Sequence, residues 1–161
     1  MTLLIDADLY LYRATAATEE EVCWDADGES NLWSLDTDLK LAKEMYFDQM
    51  DTFKEKLHDD DLIMCLSSKN NFRKKVDPSY KGNRAKVRKP LGYVAMIDWL
   101  RHHFRTCQME TLEADDVLGI LATKPENKGK AIIVSDDKDM KSVPAKLYRP
   151  MSDERFDITE A

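Results

Sequence analysis

A chain of 161 residues, 43% hydrophobic and 34% charged, is about one domain and long enough to bury a real core. No apolar run approaches the roughly 20 residues of a membrane span, and the N-terminus lacks the basic start and long apolar stretch of a secretory signal. The net charge of −7 hides an asymmetry: Lys69 to Lys89 carries nine Lys/Arg against one acid, Asp77, and the remaining chain is net −15.

One concentrated basic stretch on an acidic body is what a grip on a phosphate backbone requires, with a solvated lysine-rich loop as the plain alternative. The cysteines, Cys23, Cys65 and Cys107, are odd in number, far apart and set in apolar contexts. They read as small buried hydrophobes of a reduced, intracellular protein. His58, His102 and His103 lack zinc-type spacing, so no structural zinc site is expected.

In chain order, Thr2–Ile5 is a short apolar run that reads as a buried first strand delivering Asp6 at its carboxyl end, with Asp8 in a turn leading to a short helix. Glu21–Trp24 and Leu32–Leu35 flank Asp25–Asn31 as a hairpin with a Gly-containing loop. From Thr37 to about Leu57 the apolar residues recur at helical spacing, and Asp59–Asp61 then reads as a solvated loop. Leu62–Leu66 is a second buried strand ending at Ser67-Ser68. The basic stretch follows, expected to be mobile from its charge and few apolar anchors, and closes at Pro90, which suits the first turn of a helix. Val94, Ile97, Trp99, Leu100 and Phe104 give that helix its expected buried face.

Thr106–Met109 reads as another strand. Thr111–Ala122 then reads as a buried helix with Thr111 as its N-cap and three acids, Glu113, Asp115 and Asp116, in its first turn. Acids complement the positive end of a helix, but that accounts for one or two of them better than for three. Ala131–Val134 is the clearest buried strand; it empties into Ser135-Asp-Asp-Lys-Asp139. Lys146–Tyr148 and Arg155–Ile158 are expected edge strands. Strand and helix patterns alternate throughout, which predicts a three-layer α/β/α fold with a mostly parallel central sheet and one domain over residues 1–161.

Three strand-to-helix junctions therefore carry acids: Asp6, then Glu113/Asp115/Asp116, then Asp137/Asp139. In parallel α/β sheets, chemistry gathers outside the carboxyl ends of the strands. If the three junctions converge there, so many carboxylates cannot all ionise without cations. Oxygen-preferring Mg²⁺ or Mn²⁺ resolves the repulsion, and two such ions support phosphodiester hydrolysis. With the basic stretch to hold the phosphodiester, the residues point to a metal-dependent nuclease.

Ile5-Asp6, Tyr80-Lys-Gly-Asn-Arg84, Leu112-Glu-Ala-Asp-Asp116 and Val134-Ser-Asp-Asp-Lys-Asp139, in that order, resemble the 5′-nuclease (flap endonuclease-like, PIN-related) superfamily. The pattern is closest to the 5′→3′ exonucleases of T7-like bacteriophages, including Phe72-Arg-Lys and Val76-Asp-Pro-Ser-Tyr-Lys-Gly-Asn-Arg84. The resemblance implies that Asp6, Glu113, Asp115 and Asp116 hold a metal near the scissile phosphate and that Asp137 and Asp139 help hold a second. It implies that Lys81 and Arg84 contact that phosphate and that Tyr80 stacks on a terminal base. Arg73, Lys74, Lys75, Lys86, Arg88 and Lys89 then complete a nucleic-acid grip. Residues from about 69 to 105 hold the basic segment and the arch or gateway that admits a 5′ single strand. Implied substrates are 5′ ends and flaps of duplex DNA and RNA–DNA hybrids, in phage replication or recombination in the cytoplasm of an infected bacterium, with no membrane partner.

Two departures accompany the likeness. The family commonly has an acid shortly after the second strand, where this chain has Ser67-Ser68. The chain also stops at Ala161, where the family continues with further aspartates and a helix–hairpin–helix element that grips duplex DNA; a chain without them is expected to be much less active than a longer version. A PIN-type single-strand ribonuclease, or a catalytically incomplete nucleic-acid-binding module, are the competing readings. A haloacid dehalogenase-type phosphatase also begins with Asp-x-Asp at a strand end, but gives no role to the basic stretch or to Glu113-Ala-Asp-Asp116.

Overall fold

The computed structural model describes residues 1–23, 33–69 and 89–159. Its centre is β1 (Thr2–Asp6), flanked in parallel by β4 (Asp61–Leu66) and β6 (Ala131–Val134), with Ile5 opposite Met64 on one side and Val134 on the other. The full sheet runs β5-β4-β1-β6-β7-β8, where β5 is Thr106–Gln108, β7 Lys146–Arg149 and β8 Glu154–Asp157; only the β7–β8 pair is antiparallel. A separate hairpin pairs β2 (Glu19–Cys23) with β3 (Trp33–Thr37).

The apolar run of β1 is continuous because both faces of the strand are covered. Side chains alternate across a sheet, so Leu3 and Ile5 enter one core and Leu4 the other. The first core lies under α1 (Ala7–Ala17), α2 (Leu39–Leu57) and α3 (Tyr93–His103), and includes Leu11, Tyr46, Phe53, Met96 and Leu100. The second lies under α4 (Ala114–Thr123), with Val117, Leu118 and Leu121 against Ile133 and Leu147. This is a three-layer α/β/α fold with a mostly parallel sheet, as the alternating pattern predicts. Among the described residues no helix is long and apolar enough to cross a membrane.

α2 buries Ala42, Tyr46, Met50 and Phe53, one stripe at helical spacing; Asp38 caps its start by accepting from the Leu41 N–H at 3.0 Å. Gly92 sets how closely α3 starts against α2: a Cβ there stands 2.8 Å from Leu39 Cδ2 and 3.0 Å from Thr37 Oγ1.

Several local expectations are corrected. α1 starts directly at Ala7, so Asp8 sits in its first turn rather than in a preceding turn. Pro90 precedes α3 rather than opening it, its carbonyl accepting from the Tyr93 N–H. In α3, Tyr93, Met96 and Leu100 are buried and the expected Ile97, Trp99 and Phe104 pack against the same core, but Val94 is 69% exposed. Asp61 is not loop but the first residue of β4, accepting from Thr2 Oγ1 and paired with Arg105, and Asp59 pairs with the N-terminal ammonium. Thr111 does not cap α4. It lies in left-handed backbone, φ 68°, and the cap is Glu113. The basic stretch from residue 70 to 88 lies outside the described residues, as does the Asp25–Asn31 loop.

Candidate active site at the carboxyl edge of the sheet

β1, β4 and β6 run in parallel, so Asp6, Ser67 and Ser135 emerge side by side at one edge of the sheet. Asp6 is 5% exposed, and its Oδ2 accepts from the Ser135 hydroxyl at 2.7 Å. Burial pushes the Asp6 carboxyl up from 3.8 to about 7; the Ser135 hydroxyl opposes the shift, and the charges of Asp115 and Asp8 add to it. The first acidic junction thus feels the second electrostatically.

The acidic start of α4 folds onto the end of β4. The Ala114 N–H donates to Ser67 Oγ at 2.9 Å, and the Ser68 N–H donates to the Leu112 carbonyl at 2.9 Å. Glu113 and Asp116 form a capping box: the Glu113 N–H donates to Asp116 Oδ2 at 3.1 Å, and the Glu113 carboxylate takes the Asp116 N–H. Two of the three acids therefore satisfy backbone donors that a helix start leaves without partners. Glu113, Asp115, Asp116 and Asp139 line one cleft of about 610 Å³, floored by Met140 and Val143.

Asp137 is held differently. Its N–H donates to Ser135 Oγ at 3.1 Å, and its carboxylate accepts from the Asp139 N–H at 2.9 Å, capping the 3₁₀ turn Lys138–Ser142. Asp136, between the two, accepts from Arg13 at 2.6 Å and from the Met151 N–H at 2.9 Å, which ties the loop to α1 and to the β7–β8 turn.

These donors are all oxygen, the type that a hard divalent cation prefers. The donor chemistry fits such an ion. In arrangement, no group of three or more His, Cys, Asp or Glu among the described residues is poised to hold a metal. Asp6 and Asp115 interact, and Asp139 joins the α4 acids in the cleft. The full convergence of Asp6, Glu113, Asp115, Asp116, Asp137 and Asp139 on one point is not present.

Of the expected nucleic-acid contacts, Lys89 is described. It is exposed, and its ammonium stands 4.6 Å from the centre of the Tyr93 ring. Arg73, Lys74, Lys75, Tyr80, Lys81, Arg84, Lys86 and Arg88 lie outside the described residues. Sequence reasoning gave no positioning role to Asp8, Ser67, Tyr93 or Ser135. Asp8 accepts from the Ser67 N–H at 3.1 Å and from the Tyr93 hydroxyl at 3.3 Å, tying α1, β4 and α3 together. Ser67 and Ser135 are short hydroxyls whose partners lie far away in sequence, so no local pattern marks them.

A family model described as the 5′-3′ exonuclease, N-terminal resolvase-like domain matches residues 1–157. The chain belongs to this family. It is 34% identical over 150 residues to the exonuclease of Escherichia phage T7, covering 88% of this chain and 49% of that protein. It is 33% identical over 150 residues to the exodeoxyribonuclease of Enterobacteria phage T3, covering 88% of this chain and 48% of that one. The chain spans about half the length of the curated relatives it matches.

Among solved structures, a bacteriophage T5 5′-exonuclease with divalent metal ions (zinc) bound superposes with a TM-score of 0.64 at 14% identity, over 97% of this chain and 58% of that one. A T5 flap endonuclease in a pseudo-enzyme–product complex with DNA and metal ions gives 0.62 at 14% identity, over 96% and 57%. Likeness at that identity establishes the shared fold.

Proposed function

We propose that this domain is the catalytic part of a metal-dependent 5′→3′ exonuclease or flap endonuclease that hydrolyses phosphodiester bonds at 5′ ends of duplex DNA or RNA–DNA hybrids, in phage replication or recombination. The observation that carries the reading is Asp6: a buried carboxyl at the carboxyl end of the central strand, pushed to about 7 by its burial and by the charges of Asp115 and Asp8. A cation bound there would relieve the crowding of a buried carboxyl beside other acids.

In this reading Asp6, Glu113, Asp115 and Asp116 hold one Mg²⁺ or Mn²⁺, and Asp137 and Asp139 contribute to a second. Bound there, the ions lower the pKa of the attacking water and neutralise charge on the leaving oxygen. The chain's own groups do the rest. Asp6, at the end of β1, and the capping-box acids, at the start of α4, would supply carboxylate oxygens to the ions. Lys81 and Arg84 neutralise the scissile phosphate, and Tyr80 stacks on the terminal base. Arg73, Lys74, Lys75, Lys86, Arg88 and Lys89 grip the backbone, and Tyr93 links Lys89 to Asp8 within the site.

Support comes from family membership over residues 1–157, and from the metal ions and DNA bound by the T5 proteins of the same fold. A binding module without catalysis is the second reading. What favours it is that no three acids among the described residues are poised for an ion, together with the structural use of Ser67 where the family commonly has an acid nearby. Comparing a 5′-flapped DNA, an RNA–DNA hybrid and an RNA hairpin as substrates tests the proposal. Release of short 5′ products from the first two supports it; cleavage of the hairpin alone contradicts it in favour of a PIN-type ribonuclease.

A further inference from the structure

We infer that Ser135 is a positioning residue that binds the Asp6 carboxylate and the Asp137 loop into one hydrogen-bonded unit, and that this unit sets the affinity of the site for a divalent cation. The inference rests on the metal-dependent reading above. Ser135 follows β6 directly and is fully buried. Its backbone is fixed, because its N–H donates to the Tyr148 carbonyl at 3.2 Å.

A serine hydroxyl has one proton to give. Ser135 Oγ accepts the Asp137 N–H at 3.1 Å, and its own proton goes to Asp6 Oδ2 at 2.7 Å. The chain of donors therefore has one direction, from the Asp137 backbone through the hydroxyl to Asp6. Oδ2 is committed as the acceptor of that hydroxyl. The carboxylate is oriented before the ion arrives and needs no rotation when it does. Through the same hydroxyl, the strand end that delivers Asp6 is kept in register with the loop that delivers Asp137 and Asp139.

The loop has a second anchor that does not use Ser135. Asp136 is held by Arg13 at 2.6 Å and by the Met151 N–H at 2.9 Å, and its carbonyl accepts from Arg149 at 2.9 Å. Loss of the Ser135 hydroxyl therefore releases Asp6 and the Asp137 N–H while leaving the loop attached. Groups that orient metal ligands commonly change affinity by about 10- to 100-fold when removed.

The experiment is a Mn²⁺ titration of the protein without nucleic acid, followed by the electron paramagnetic resonance of free Mn²⁺, on wild type, Ser135→Ala and Ser135→Thr. Amide exchange of Asp137 is measured in the metal-free proteins. Ser135→Ala is expected to weaken Mn²⁺ binding by about tenfold or more and to speed Asp137 exchange, and Ser135→Thr, which restores the hydroxyl, to bring both back. Ser135→Cys, similar in size but a weak donor, carries the same expectation as alanine should that variant not fold. Wild-type Mn²⁺ affinity in the Ala and Cys variants overturns the inference while leaving the metal reading intact, as does equal weakening in the Ala and Thr variants. A wild-type protein that binds no Mn²⁺ overturns the metal reading itself, and this inference with it.

Discussion

Replacing Asp6 with Asn removes a carboxyl whose ionisation opposes folding in the metal-free protein. Its folded value is raised from 3.8 to about 7, so between those limits the folded state holds a proton that the unfolded chain has released. The stabilisation from that proton is fully present below about pH 4 and is lost as pH rises through about 7. The interval spans about three pH units, or on the order of 4 kcal/mol, more than half of which accrues between pH 5 and pH 8. Asn has no such dependence. Urea denaturation of wild type and Asp6→Asn in EDTA, at pH 5 and pH 8, should therefore show the variant gaining roughly 2–3 kcal/mol on wild type at the higher pH. A stability difference that stays the same at both, within about 0.5 kcal/mol, refutes the buried, charge-crowded Asp6 on which the site depends.

Saturating Mn²⁺ at pH 8 should raise the midpoint of wild type and not of Asp6→Asn, by about 2.7 kcal/mol at a hundred times the dissociation constant; equal shifts in the two contradict Asp6 as a ligand. Asp116→Ala breaks the capping box with Glu113 and should cost about 1 kcal/mol by thermal unfolding in EDTA. Thr111→Gly relieves a β-branched residue at φ 68° and should raise stability by up to about 1 kcal/mol, with any loss of melting temperature counting against the left-handed backbone. Leu118→Ala empties a fully buried position under β1 and β6 and should cost about 2–5 kcal/mol by urea denaturation.

What could be read in the sequence follows from how local each signal is. β1 and β6 stand out because strands covered on both faces are continuous apolar runs, and their carboxyl ends fix where Asp6 and Ser135 emerge. The α2 stripe is legible for the same reason at helical period. The start of α4 is not: Thr111 is a sound N-cap by type, but Glu113 and Asp116 satisfy the free backbone donors themselves and move the cap from Thr111 to Glu113. The α3 face is legible except at Val94, an apolar residue that the helical spacing of Tyr93, Met96 and Leu100 turns outward. The Ser135–Asp6 bond joins residues 129 apart, and the Arg13–Asp136 pair joins residues 123 apart. Such partners become visible only once the parallel sheet has put its strand ends side by side. The same distance hides the role of Ser67, which stands where an acid is expected and instead anchors the α4 start.

The most direct measurement is cleavage of a 5′-labelled flap or nicked duplex DNA at low salt with Mg²⁺, Mn²⁺ or EDTA, with Asp116→Asn alongside. The account predicts short 5′ products that require the metal and disappear in the variant. Binding of the DNA that survives EDTA, with no cleavage under any metal, contradicts it.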